Sequence, residues 1–173
     1  MKRAFLVYGP ESAGNRLMTR ILVACGCYGD GEHHQRLNFD PPPSNATDIA
    51  WFRSVPYAQR WPDLIEHIDQ VMRYDYVPYA LVMNRDTNAV AQSQIKVGHS
   101  KDLTAAYRSI EAAYKVIFHA INHHNIHYVM VSYESLFLRQ SAYLGWLLDH
   151  IGLRLQVPVE RVIDANEKYY ANP

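Results

Sequence analysis

The sequence predicts an α/β fold with three layers, in which helices cover both faces of a central parallel sheet of about four to five strands. Segments of strand length stand at residues 4–8, 49–55, 79–83 and 128–131, and helical patterns separate them. Strands that alternate with helices are typical of βαβ units, whose strands are parallel. The segment at 79–83 is apolar throughout, as expected of a strand buried on both faces.

Length and composition indicate one globular domain spanning residues 1–173. Hydrophobic residues make up 49% of the chain, charged residues make up 20%, and 17 basic residues balance 17 acidic ones. This balance does not support binding to nucleic acid or to an anionic membrane surface. We expect no signal peptide and no membrane span, because the apolar runs are short. Cys25 and Cys27 make no disulfide framework, so we expect a reduced, cytoplasmic protein, with its oligomeric state open.

Apolar residues at helical spacing predict five helices. The first ends at Gly26, the second runs from an N-cap at Asp63 to about residue 74, and the third stops near Gly98. The fourth opens at Asp102 or Thr104 and runs to about 122, and the fifth covers 134–151. The side chains predicted to face inward include Met72 in the second helix and Tyr107 in the fourth. An irregular segment at about 28–48 and a short amphipathic piece at 159–166 complete the chain.

Residues 9–16 join the first strand to the first helix and carry two glycines at the spacing Gly9-x-x-x-x-Gly14. A strand, a tight turn and a helix in this order aim backbone N–H groups and a helix N-terminus at one point, which makes an anion site. The spacing is that of a phosphate-binding loop, but Asn15 and Arg16 replace the lysine and hydroxyl of a nucleoside triphosphatase. The alternative interpretation is an ordinary tight turn.

A second group of polar residues follows the apolar strand at 79–83. Arg85 leaves the end of this strand, and Ser93 lies eight residues later on the following helix. Ligands of parallel sheets bind beyond the carboxyl ends of the strands, which gathers the glycine loop, Arg85 and the Arg53-Ser54 pair at one edge. A guanidinium and a hydroxyl suit a phosphate group. Alternatively, Arg85 forms an ion pair with Asp86 or a neighbouring helix, and Ser93 is solvated.

These segments resemble the PAPS-dependent sulfotransferases, where PAPS is 3′-phosphoadenosine 5′-phosphosulfate. Residues 9–16 stand where that family has its 5′-phosphosulfate loop, and residues 84–93 are similar to its 3′-phosphate motif, an Arg-Asp turn followed by a helix with Ser eight residues after the Arg. Residues 131–136 and 147–153 look like its Tyr-Glu-Asp-Leu element and the helix that follows. The resemblance implies a P-loop-containing sulfotransferase-like fold.

The resemblance also implies an enzyme that transfers a sulfuryl group from PAPS to a hydroxyl of a small-molecule or glycan acceptor, leaving adenosine 3′,5′-bisphosphate. The cofactor-binding residues it implies are Gly9, Ser12, Ala13, Gly14, Asn15, Arg16, Arg85 and Ser93. The basic residue that the family places before its loop serine is absent, and Arg16 is expected to supply that charge. The family's C-terminal Arg-Lys-Gly element is absent too, and the tail offers only Lys168.

The transfer requires a base for the acceptor's proton. The position of the family's histidine is occupied by Ser54, whereas Glu32, His33 and His34 lie near the place where other members carry a glutamate base. These three residues are therefore the predicted catalytic base candidates, and Arg53 is expected to steady the sulfuryl group.

Two other classes of protein stay open. A small nucleotide kinase would need a loop lysine and a magnesium-binding hydroxyl, which this loop lacks. A non-catalytic protein could keep the fold and a nucleotide site. His123, His124 and His127 fall between a helix end and a strand without carboxylates or cysteines, so we predict no metal site there. Tyr107, Tyr114 and Tyr143 are predicted as core residues whose hydroxyls reach the surface.

Overall fold

The computed structural model describes residues 1–29, 42–55, 61–158 and 166, and these ranges contain four strands and six helices. The strands are β1 (Lys2–Pro10), β2 (Asp48–Val55), β3 (Tyr76–Asn84) and β4 (His127–Ser132). The helices are α1 (Asn15–Ala24), α2 (Trp61–Arg73), α3 (Thr87–Lys96), α4 (Leu103–His124), α5 (Tyr133–Leu138) and α6 (Gln140–His150). Among the helices of these ranges, none is both long and apolar enough to cross a bilayer.

The four strands form one parallel sheet in the order β2-β1-β3-β4. The central strand β1 is buried from Ala4 to Pro10, and its Leu6 lies between Trp51 of β2 and Ala80 of β3. A strand with a neighbour on each side and a layer on each face has no contact with water, which explains its apolar sequence. The predicted parallel sheet is confirmed.

Helices cover both faces of the sheet, because alternate side chains of each strand point to opposite faces. On one face, Phe5 and Val7 of β1 pack in a cluster with residues of α1 and α6, including Met18, Leu22, Leu147 and Leu148. On the other face, Leu6 and Tyr8 pack with residues of α2 and α4, including Leu64, Ile68, Ile117 and Ile121. The predicted three-layer α/β/α arrangement is confirmed.

The strand order reverses at β1. The chain passes from β1 through α1 to β2 at one edge, whereas β3 and β4 lie on the other side of β1. At such a switch point the connections diverge to opposite faces, and a crevice opens at the carboxyl ends of the two central strands. The glycine loop follows β1 and Arg85 follows β3, so both flank this crevice.

Two predicted helix boundaries are wrong. The second helix begins at Trp61, so Asp63 lies in its first turn and is not the N-cap. Pro62 is compatible with that turn, since the first N–H groups of a helix have no intrahelical acceptor. The predicted helix at 134–151 is two helices, separated where Gln140 adopts a φ of +34°. Apolar periodicity continues across this break and hides it.

Some predicted side-chain positions also differ. Met72 and Tyr107, both predicted to face inward, are 47% and 41% exposed. The hydroxyl of Tyr114 donates to the Met83 carbonyl at 3.0 Å, and that of Tyr143 accepts from the Ser132 N–H at 3.0 Å. These two hydroxyls bind backbone groups at strand ends, and both tyrosines are half-buried. Of the predicted piece at 159–166, only Asn166 lies within the described residues.

Candidate functional site

The loop between β1 and α1 has the backbone shape of an anion cradle. The Ala13 N–H donates to the Pro10 carbonyl at 3.1 Å and closes a tight turn. Ser12 and Gly14 have φ angles of +70° and +97°. When residues with positive φ alternate with residues with negative φ, successive N–H groups turn toward a common centre. No side chain of the described residues caps helix α1, so among these residues nothing but a ligand would occupy its first amides.

Both glycines of the loop are required by close packing. A Cβ on Gly9 would collide with Oδ1 of Asn15 and lie 3.0 Å from Cβ of Met83. A Cβ on Gly14 would lie 2.8 Å from Cδ2 of Tyr133, in addition to the strain of its positive φ. The loop is therefore packed against β3 and α5, and a larger residue at either glycine would displace it.

Asn15, the first residue of α1, turns its side chain back into the loop. Its Nδ2 lies 3.3 and 3.2 Å from the carbonyl oxygens of Gly9 and Pro10 and donates to Oγ of Ser54 at 2.8 Å. Its Oδ1 is buried and has no hydrogen-bond partner within the described part of the chain. The side-chain amide of Asn15 thus holds the loop to β2. The backbone N–H of the same residue is the group that Asn15 can offer to an anion.

Arg85 joins the two halves of the crevice. It is 8% exposed, its Nη1 donates to the Ser12 carbonyl at 2.8 Å, and its guanidinium lies 4.5 Å from the ring centroid of Tyr133. Its Nε donates to Oδ1 of Asn166 at 2.7 Å. The structure therefore brings Arg85 to the glycine loop, as predicted from its position at the carboxyl end of a parallel strand. The described contacts of Arg85 do not include an ion pair with Asp86, which was the alternative prediction.

A small polar network continues from Arg85 to the start of α3. Oε1 of Glu134 accepts hydrogen bonds from the backbone N–H of Asp86 at 2.8 Å and from Nδ2 of Asn166 at 3.0 Å. The Asp86 carboxylate in turn caps α3 by accepting from the Ala89 N–H at 2.8 Å. This network fixes the turn that carries Arg85.

Gln94 is a loop contact that the sequence analysis missed. It is 1% exposed, and its Nε2 donates to the Glu11 carbonyl at 3.1 Å. Ser93, its neighbour, is partly buried on α3, and its side chain has no hydrogen bond to the described residues. Gln94 follows the buried Val90 by four residues and Ala91 by three, so helical spacing places it on the buried face of α3. A polar residue at such a position could have identified the contact from the sequence.

The two predicted residues of β2 lie on opposite faces of the sheet. Ser54 faces α1 and accepts from Asn15, whereas Arg53 pairs in register with Tyr8 and faces α2. The structure therefore brings Ser54, but not Arg53, to the loop's face. Arg16 is exposed on α1, and its side chain makes no hydrogen bond or ion pair to the described residues. Glu32, His33 and His34 lie outside the described residues.

Arg53 lies beside a buried hydrogen-bonded pair. The Tyr8 hydroxyl and Nδ1 of His67 are 2.9 Å apart. Burial raises the pKa of Tyr8, and the Arg53 charge opposes this only in part. Burial, together with the Arg53 charge, lowers the pKa of His67 to about 3. The hydroxyl is therefore the donor and the neutral imidazole is the acceptor at neutral pH.

The histidines near the end of α4 do not assemble a metal site within the described ranges. Nε2 of His124 lies 3.6 Å from Oδ1 of Asp69, and the rings of His123 and His124 meet edge to face. No group of three or more His, Cys, Asp or Glu side chains in these ranges could hold a metal ion.

No protein-family model matches this chain, and no curated protein matches it at a significant level. The crevice at the ends of β1 and β3 is the candidate site. Gly9, Ser12, Ala13, Gly14, Asn15 and Arg85 converge there, and Ser54, Gln94, Glu134 and Asn166 support them.

Proposed function

We propose that the crevice binds PAPS and that the protein transfers its sulfuryl group to an acceptor hydroxyl. The observation that carries this proposal is the hydrogen bond from Arg85 to the Ser12 carbonyl at the switch point of the sheet. This bond places a buried guanidinium beside an uncapped helix N-terminus, two donor groups suited to a doubly phosphorylated nucleotide.

Each part of the ligand has a proposed partner. The loop amides at 12–16 would hold the 5′-phosphosulfate, and exposed Arg16 would add charge at the start of α1. Arg85 and Ser93 would hold the 3′-phosphate. The loop amides and Arg16 would also stabilise the negative charge that develops on the 5′-phosphate as the sulfuryl group leaves it.

The reaction gives a sulfate ester and adenosine 3′,5′-bisphosphate. The acceptor oxygen forms a bond to sulfur, the bond from sulfur to the 5′-phosphate oxygen breaks, and the hydroxyl proton passes to a base. Glu32, His33 and His34 remain the proposed base candidates, whereas the expected contact of Arg53 with the sulfuryl group is not proposed, because Arg53 lies on the opposite face of the sheet beside Tyr8. We also propose a cytoplasmic location, which the two unpaired cysteines favour.

Calorimetric titration with adenosine 3′,5′-bisphosphate tests the binding step. We expect micromolar affinity, weakened about tenfold in Arg16→Ala, since a charge-assisted contact to phosphate is lost. Arg108→Ala, an exposed arginine on α4, is the matched control and should bind as the wild type does. Absence of binding to the bisphosphate would refute the proposal. Binding of ATP with magnesium in its place would instead indicate a nucleotide kinase.

A second candidate function is nucleotide binding without catalysis. One observation favours it: Nε and Nη1 of Arg85 donate to the protein's own Asn166 and Ser12. Incubation with radiolabelled PAPS and a broad panel of alcohols, phenols and sugars separates the two functions. Transfer of label to any acceptor supports the enzyme, whereas bisphosphate binding with no transfer supports the non-catalytic protein.

A further inference from the structure

Asn166 is a buried amide between a cation and an anion. It is 2% exposed, its Oδ1 accepts from Nε of Arg85 at 2.7 Å, and its Nδ2 donates to Oε1 of Glu134 at 3.0 Å. A guanidinium only donates and a carboxylate only accepts, so these neighbours determine which way the amide points. The site requires one acceptor and one donor on a single short side chain, and asparagine supplies both.

The bond to Nε gives the Arg85 guanidinium a direction that its contact with the Tyr133 ring does not set. The guanidinium carbon lies 4.5 Å from the centroid of the Tyr133 ring, and a cation–π contact of this kind does not by itself determine where Nε and Nη1 point. With Nε bonded to Asn166 at 2.7 Å, the planar guanidinium directs Nη1 at the Ser12 carbonyl, 2.8 Å away. Two directional bonds on one rigid fork define its orientation.

We propose that Asn166 is a positioning residue, which sets the orientation of Arg85 and, through it, the conformation of the loop at Ser12. Oε1 of Glu134 contributes by holding both Asn166 and the backbone of the Arg85 turn at Asp86. The link from Asn166 to the loop needs no ligand. Its effect on nucleotide affinity rests on the proposed function.

The first experiment therefore uses the protein without ligand. In nuclear magnetic resonance spectra, Asn166→Ala should speed hydrogen exchange at the Arg85 Nε–H about tenfold, the effect of losing a hydrogen bond to a charged group. It should also shift the amide signals of Ala13 and Gly14. Asn122→Ala, an exposed asparagine near the far end of α4, is the control and should change neither. Unchanged Arg85 and loop signals in Asn166→Ala would overturn the proposal.

A second variant supplies a pH profile that loss of packing alone would not produce. Asn166→Asp places a carboxyl group against Glu134, and the pair shares a proton at low pH. At about pH 5 the protonated group can still accept from Arg85 and donate to Glu134, so loop signals should match the wild type. At about pH 8 two adjacent carboxylates repel, and the signals should move toward those of Asn166→Ala. Identical loop signals at both pH values would contradict this expectation.

Titration with adenosine 3′,5′-bisphosphate extends the test to affinity. Asn166→Ala should bind about tenfold more weakly than Asn122→Ala, because Arg85 must be ordered at the expense of binding. Equal affinities would refute the link to the ligand. Failure of the wild type to bind would refute the proposed function, whereas the ligand-free spectra would still decide the role of Asn166.

Discussion

The side chain of Asn15 donates a hydrogen bond of 2.8 Å to the hydroxyl of Ser54, which joins the glycine loop to the end of β2. The same amide nitrogen faces the carbonyl oxygens of Gly9 and Pro10. The Pro10 carbonyl also accepts from the Ala13 N–H, so the Asn15 amide adds a second donor at the turn that this bond closes. The shape of the loop therefore depends on one buried amide.

We expect Asn15→Ala to lower the free energy of unfolding by about 2 kcal/mol, because the carbonyls of Gly9 and Pro10 and the Ser54 hydroxyl each lose a buried hydrogen bond. Ser54→Ala removes only one of these partners and should cost about 1 kcal/mol or less. Urea unfolding of both variants measures the difference. Equal losses in the two variants would show that the bond to Ser54, and not the loop carbonyls, carries the stabilisation.

Gly14→Ala should destabilise the protein for two separate reasons. The φ of +97° disfavours any side chain, and the new Cβ would lie 2.8 Å from the Tyr133 ring. We expect a loss of about 2–3 kcal/mol in urea unfolding, from strain and overpacking together.

Two other glycines separate the strain of a positive φ from the contact with Tyr133. Gly98→Ala has a φ of +79° but open space around its Cβ, so it should lose only the strain, about 1 kcal/mol. Gly145→Ala lies inside α6 with nothing within 4 Å, and should stabilise the protein by about 0.5–1 kcal/mol. A loss in Gly98→Ala as large as in Gly14→Ala would exclude the Tyr133 contact as a cause.

His67 should make the protein less stable in acid. Its folded pKa of about 3 lies below the ordinary value of about 6.5, so between these values the unfolded chain binds a proton that the folded chain does not. The free energy of unfolding therefore falls as pH decreases through this window, by on the order of 3 kcal/mol at pH 4. Urea midpoints measured against pH give this slope.

His67→Asn keeps an acceptor for the Tyr8 hydroxyl and removes the titrating ring. Its stability should fall less steeply with acid than that of the wild type. His127→Asn, an exposed histidine at the start of β4, serves as the comparison and should keep the wild-type slope. Parallel curves for the wild type and His67→Asn would mean that other groups cause the acid sensitivity.

Cys25 and Cys27 should react slowly with thiol reagents in the folded protein. Burial raises the pKa of Cys25 to about 11. Burial, with the neighbouring Asp48 carboxylate, raises that of Cys27 to about 12. At about pH 8 the reactive thiolate is then a thousandth of the thiol or less. We expect a disulfide reagent to label both only in denaturant, and rapid labelling of the native protein would contradict their burial.

Several features of the site followed from local patterns. The apolar run at 79–83 identified β3, and the rule for parallel sheets placed Arg85 beside the glycine loop. Strand alternation put Arg53 and Ser54 on opposite faces, but which of them meets the loop depends on the register with β1. The break before α6 has no glycine or proline to announce it.

By itself, the sequence determined the parallel sheet, the glycine loop and the position of Arg85 at a strand end, because periodicity and turn chemistry act over a few neighbouring residues. Only the tertiary structure decided what Arg85 touches. Its partners Ser12 and Asn166 lie 73 and 81 residues away in the chain. Such contacts arise when the sheet aligns its strand ends and packing sets each side-chain direction, so no local pattern records them.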